Sequence, residues 1–238
     1  ELLLMSWING NRSEPTPVLG PTGTAEVVGG FNAAYRLDST YRLAHHGPEI
    51  ANPNGYGGVA EEISVPVGPG GKQVVLDDGD LKITAIRVDH APSEPAFGYR
   101  IDYKGRSVSS SGDTVYHPGF IAASRGVDIM LHEALNKKMV QAIGETLGER
   151  GVRNGEIIFE DILDYHTDPE EAAVAAQEAG ADQLVYYHIV PQLPVKMLES
   201  MFIGESRSKF DGKITVGADG MLFSLPAGSD EILRSNAL

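Results

Sequence analysis

Four strand-like runs in this chain each end on a histidine or a carboxylate, and that placement constrains the fold more than any other feature. Leu81 to Val88 is followed by His90. Arg106 to Ser110 is followed by Ser111-Gly112-Asp113-Thr114. Val127 to Leu131 ends on His132-Glu133, and Leu184 to Tyr187 ends on His188. A fifth such residue, His166, stands just before a helix start. Layered α/β folds build their sites at the carboxyl ends of strands. Neutral imidazole and carboxylate form the donor set suited to Zn²⁺ or Mn²⁺. A single strand-end histidine is more often structural; their recurrence at several strand ends carries the argument.

The remaining pattern agrees with mixed α/β. Phe97, Tyr99, Ile101 and Tyr103 alternate with Gly98, Arg100, Asp102 and Lys104, the period of a half-buried strand. Lys104-Gly105 turns the chain, as does Asp77-Asp78-Gly79-Asp80 between two strands. Asp168, Pro169 and Glu171 spell an N-cap, N1 and N3, and Gly180 stops the helix they open. Asn136 to Glu149 is also expected to be helical. Near the start, Glu1 to Ile8 reads as the end of an apolar helix and Pro17 to Pro21 as a short strand. A helix with Thr24 as N-cap is expected through about Tyr35. Gly20-Pro21-Thr22-Gly23-Thr24 has neither the Lys nor the spacing of a phosphate loop. Leu43 to Gly71 is expected to be a long, mostly irregular excursion. Ile214 to Val216 and Met221 to Leu225 are expected to pair as a terminal hairpin. His45-His46 is read as an exposed loop pair and His117 as a surface turn.

Composition removes several function classes. The 238 residues carry 33 acidic and 19 basic side chains, a formal charge of −14. That is opposite to the basic footprint of a polyanion binder. The absence of cysteine excludes disulfides, Cys-type zinc sites and Cys nucleophiles. No apolar run approaches the ~20 residues of a membrane span.

Six segments in order, Val88-Asp89-His90-Ala91-Pro92, Phe97-Gly98-Tyr99-Arg100-Ile101, Ser111-Gly112-Asp113-Thr114, Leu131-His132-Glu133-Ala134, Tyr165-His166-Thr167 and Tyr187-His188-Ile189-Val190-Pro191, resemble the metallo-β-lactamase-fold hydrolases. The branch they look most like is ribonuclease Z, over roughly Pro17 to Leu225. The resemblance implies an αββα sandwich of α/β class, and residues 1–238 as a single, N-terminally incomplete domain lacking its N-terminal strands. It implies two metal ions, zinc or alternatively manganese, with His90 on the first, Asp113 bridging and His188 on the second. It implies that Glu133 and His166 are a carboxylate–histidine pair that assists proton transfer beside the metals. The reaction it implies is cleavage of an ester, foremost a phosphodiester, by a bridging hydroxide. A homodimer is the implied assembly.

Two departures from the branch stand out, and the charge adds a third consideration. The family's His-x-His-x-Asp-His cluster, which supplies four of seven metal ligands, does not occur in residues 1–238 and is expected upstream of Glu1. Ribonuclease Z has His-Ser-Thr where this chain has His166-Thr167-Asp168. The charge of −14, with no basic arm, favours a small-molecule ester over tRNA. Alternatives are a sulfate ester, a carboxylic ester or lactone, or a β-lactam on the same metals. A further alternative is a noncatalytic binding or scaffold protein without its main metal cluster.

Overall fold

Alternation of apolar and polar residues puts one face of a strand into a core, and here it builds a seven-stranded sheet. The computed structural model describes residues 1–68 and 70–237, in two compact units, Glu1–Ser64 and Val65–Leu238.

In the first unit, α1 (Leu2–Gly10) precedes β1 (Thr16–Gly20), α2 (Thr24–Ala34), α3 (Arg36–His46) and β2 (Gly58–Glu62). β1 and β2 pair in parallel. Trp7, 1% exposed, packs with Leu4 and Ala51, and its indole N–H donates to the Asn52 carbonyl at 2.6 Å. Two expectations are corrected here. The cap of α2 is Gly23, not Thr24, whose hydroxyl donates to the Pro21 carbonyl at 2.6 Å. The open N–H groups of Gly23 and Ala25 are taken by Glu62 Oε1 at 2.8 and 3.2 Å. A carboxylate from β2 thus holds the helix entry, as expected at a positive helix end. The stretch from Leu43 to Gly71 is less irregular than its Gly and Pro content suggests. It contains the end of α3, a 3₁₀ turn at Pro53–Gly55 and β2; Pro69 lies outside the described residues.

In the second unit the sheet is formed by β3 (Lys72–Asp78), β4 (Leu81–Val88), β5 (Ala96–Tyr103), β6 (Arg106–Ser110), β7 (Ile129–Leu135), β8 (Gln183–Val190) and β9 (Lys213–Val216), in sequence order across the sheet. Strands β3 to β6 are antiparallel neighbours, and β6 to β9 are parallel. Because β4 and β6 both run antiparallel to β5, β4 points the same way as β6, β7 and β8. Their carboxyl ends therefore lie on one edge of the sheet.

The connections supply α4 (Pro118–Ala123), α5 (Lys137–Glu149), α6 (Arg153–Asp161), α7 (Pro169–Ala179), α8 (Glu199–Ile203) and α9 (Ser206–Lys209). Helix α7 carries the expected capping box from Asp168 and Glu171. Its alanines 172, 173, 175, 176 and 179 lie in the core with Ile86, Phe120, Met130, Leu184, Tyr186 and Phe202. Each large side chain buried this way contributes roughly 1.5–3 kcal/mol. The other sheet face carries Ile83, Ile101 and Tyr103, of which the last two remain 39% and 49% exposed. A sheet with helices on one face and apolar side chains on the other is a half of an αββα sandwich.

The expected terminal hairpin does not form. β9 pairs in parallel with β8, while β10 (Met221–Ser224) pairs antiparallel with β11 (Leu233–Asn236). The Ala218-Asp219-Gly220 turn signal is real but joins strands of two different sheets. No described helix is long and apolar enough to cross a membrane.

Candidate metal centre and its acid–base pair

The shared edge collects the strand-end residues. Asp113 follows β6, Glu133 lies near the end of β7, His188 lies near the end of β8, and His90 follows β4. Asp113 Oδ2 is 4.0 Å from His90 Nε2 and 3.6 Å from His188 Nε2. His90, Asp113 and His188 thus come together across sequence separations of up to 98 residues, counted as 188 − 90.

The orientation of each group has a local cause. His90 Nδ1 lies 2.9 Å from the Tyr165 carbonyl. A carbonyl only accepts, so Nδ1 donates and the Nε2 lone pair faces Asp113. His188 sits at a bulge. The β7–β8 register runs Glu133 with Tyr187 and then Ala134 with Ile189, skipping His188, whose φ is +44°. A bulge of this kind re-aims a side chain at a sheet rim.

The donor set fits a cation. Imidazole lone pairs face a carboxylate oxygen at 3.6 and 4.0 Å, and two donors held at 2.0–2.1 Å by one tetrahedral ion stand about 3.4 Å apart. Two buried polar atoms at the site, Glu133 Oε2 and His166 Nδ1, have no hydrogen-bond partner. Buried polar groups are rarely left so in a folded protein.

Glu133 is 0% exposed. Its Oε1 accepts from the Thr167 N–H at 2.8 Å and the Thr114 N–H at 3.4 Å. The same oxygen is 3.2 Å from His166 Nδ1. That contact has ion-pair distance without hydrogen-bond alignment. The His166 ring stacks on His188, with centroids 5.7 Å apart and planes at 20°, and meets His90 at 5.1 Å. Ligand atoms of Glu133, His166 and His188 all lie within 4.8 Å of one another. The pair is therefore close enough to the donors to share a substrate with them.

The four other histidines have different roles. His117 is not a surface turn: its Nδ1 accepts from the Phe120 N–H at 3.1 Å and caps α4, and burial lowers its pKa. His45 and His46 close α3 in the first unit, with ring centroids 4.7 Å apart. His132 points to the helical side of the sheet, 1% exposed, with Nδ1 donating to the Glu133 carbonyl at 2.8 Å.

Burial lowers the His132 pKa from 6.5, outweighing the Glu133 carbonyl and charge, which act the other way. The unfolded chain takes up a proton below about pH 6.5 while folded His132 stays neutral, so stability is full above that pH and falls as pH drops below it. The denaturant midpoint should fall as the pH is lowered from about 7.5 to 5.5. His132→Asn should be less sensitive. Equal pH dependence in the two proteins would remove His132 as the cause.

Sequence reasoning passed over the residues that hold this centre in shape. Ser111 Oγ accepts from the Glu133 N–H at 3.0 Å and donates to the Gly112 carbonyl at 2.6 Å. Thr114 and Thr167 contact Glu133 through backbone N–H groups. No side-chain pattern announces a backbone donor. The one available signal was the Thr167-Asp168 departure from His-Ser-Thr, and half of it is now explained by Asp168 capping α7.

A helix-backed sheet with this edge of His, Asp and Glu defines a hydrolase of the metallo-β-lactamase fold. The chain belongs to the β-lactamase superfamily, whose domain profile matches residues 31–189, and within it to the ribonuclease Z-like branch. It is 32% identical over 221 residues to the ribonuclease Z of Mycobacterium avium (strain 104), spanning 92% of this chain and 71% of that one. Identity to the ribonuclease Z of Mycobacterium tuberculosis (strain ATCC 25177 / H37Ra) is 31% over 221 residues, spanning 92% and 73%. The human short-form tRNase Z matches in fold, with a TM-score of 0.53 at 20% identity over 88% of this chain and 66% of that one.

Proposed function

We propose that this chain carries part of a dinuclear, zinc-type centre that hydrolyses phosphodiesters. His90, Asp113 and His188 would hold the ions, with Asp113 between them, and Glu133 and His166 would handle the proton of the leaving group. The observation that carries this reading is the buried Glu133 carboxylate, 3.2 Å from His166 Nδ1, on the same edge as the His90–Asp113–His188 group. The superfamily match crosses the boundary between the two compact units, which supports treating residues 1–238 as one domain.

Two zinc ions there would supply Lewis acidity and charge neutralisation at the phosphate. The protein's own part is proton handling and orientation. His166 turns Nδ1 toward Glu133, which leaves Nε2 to face the reacting group. In its protonated form His166 can give the Nε2 proton to the departing oxygen, while the Glu133 carboxylate stabilises the imidazolium and fixes the ring. The N–H groups of Thr167 and Thr114 hold Glu133 Oε1 in place. Burial of Glu133 strengthens its pull on the imidazolium.

The relatives' names support RNA as the phosphodiester. The charge of −14 supports a second, smaller substrate, because a long polyanion is repelled at low salt. The homodimer is the assembly we propose with either, checked by light scattering. The test of function is a panel assayed with the purified full-length protein: bis(p-nitrophenyl) phosphate, a 3′-extended tRNA precursor, an aryl sulfate, an aryl acetate and a chromogenic β-lactam. Phosphodiester cleavage that stops with a chelator and returns with Zn²⁺ is expected. Chelator-sensitive turnover confined to the sulfate, the acetate or the β-lactam would replace this reading. Preference between the first two substrates decides the size.

A further inference from the structure

Thr167 is fully buried and makes three hydrogen bonds to two other segments of the site. Its N–H donates to Glu133 Oε1 at 2.8 Å, its hydroxyl donates to the Thr114 carbonyl at 2.6 Å, and its carbonyl accepts the Leu135 N–H at 2.8 Å. The first and third tie the His166 turn to β7 on either side of Ala134. The second ties the same turn to the loop that carries Asp113.

We propose that Thr167 is a positioning residue for the Glu133–His166 pair, acting through its hydroxyl. This inference rests on the proton-transfer reading of that pair. The chemistry of the two backbone bonds survives any substitution other than proline, so they hold Glu133 and β7 whatever the side chain. Residues 167 and 114 also share Glu133 Oε1 through their N–H groups, but the hydroxyl bonds residue 167, next to His166, directly to residue 114, next to Asp113. It therefore helps to set how far the acid–base pair stands from the metal-type donors. A threonine hydroxyl suits this task because its branched side chain is stiff about χ1 and keeps one direction. Without the hydroxyl the Thr114 carbonyl loses this partner, and a buried acceptor left unpaired is costly. Catalysis is sensitive at this scale, since a misplacement of 1 Å can cost about 10²-fold.

The experiment compares Thr167→Val, which keeps the shape and loses the hydroxyl, with Thr167→Ser, which keeps the hydroxyl, and runs His166→Ala beside them. With a ribodinucleotide, whose leaving group is a poor alkoxide, and zinc-loaded protein, Thr167→Val should lower kcat by about 10- to 100-fold with KM within about twofold, a loss made in the transition state alone. The pH–kcat profile of Thr167→Val should shift. In the metal-free protein at one fixed pH, the His166 imidazole NMR signals should move to new chemical shifts. Thr167→Ser should match the wild type in kcat, profile and His166 chemical shifts. A Thr167→Val protein with wild-type kcat and unaltered His166 chemical shifts, but a lower melting temperature, would make Thr167 merely structural. If the valine variant does not fold, Thr167→Ala gives the same comparison. Full activity in His166→Ala would instead remove the pair reading itself. Loss in His166→Ala with full kcat in Thr167→Val overturns the positioning inference alone.

Discussion

Replacing His166 with alanine should lower turnover by about 10²–10⁴-fold, the usual contribution of a positioned general acid, and leave bound metal unchanged. The expectation rests on where the two ring nitrogens point. Nδ1 is 3.2 Å from Glu133 Oε1, so a carboxylate stands beside the ring, and on the proposed reading the other nitrogen serves the leaving group. The proximity of Glu133, His166 and His188, within 4.8 Å, allows a different outcome that the same measurement detects. If His166→Ala purifies without metal, His166 is a ligand and not an acid. If kcat is unchanged, the ring serves packing against His188 and His90. Replacing a poor leaving group by p-nitrophenolate should shrink the effect, because a good leaving group needs little protonation.

Removing Asp113 should have a still larger effect. Its Oδ2 faces both His90 and His188, at 4.0 and 3.6 Å, so Asp113→Ala strips a donor from each proposed ion at once. Losing a group that merely supports a ligand costs about 10–100-fold in metal affinity or activity, and losing a shared ligand should exceed that. The variant should retain little zinc after dialysis, by elemental analysis, and show hydrolysis near background. Asp113→Asn, with one neutral oxygen donor, should fall between the two. Two tightly held zinc ions together with normal turnover in Asp113→Ala would break the assignment of this centre.

Several of these positions could be read from the chain before any coordinates. Asp168-Pro169-Glu170-Glu171 specifies its own helix start, because a cap needs only residues three apart and the donors of one turn. Phe97 to Tyr103 specifies a strand, because period two is a local property of the pleat. The strand-end positions of His90, Asp113, Glu133 and His188 follow from the same local signals. The order of the six motifs then points to the family.

What the sequence left open depends on partners distant in the chain. Ile214–Val216 and Met221–Leu225 have the turn signal of a hairpin. Yet β9 finds β8 and β10 finds β11, since pairing is set by which edges and apolar faces are open, not by the turn alone. The stretch after Leu43 is rich in turn formers, but β2 acquires strand geometry by pairing with β1. His188 reaches Asp113 through a bulge that exists only in register with β7. By itself, then, the sequence determined strands such as β5, the capped start of α7 and the kinds of donor at each strand end, because these follow from propensity and spacing within a few residues. Only the tertiary structure decided that β4, β6, β7 and β8 point their carboxyl ends to one edge, and that Thr167 ties the loops of His166, Glu133 and Asp113 together. Those outcomes depend on strand order and on backbone N–H and C=O groups, which every residue but proline carries alike and which no side-chain pattern can mark.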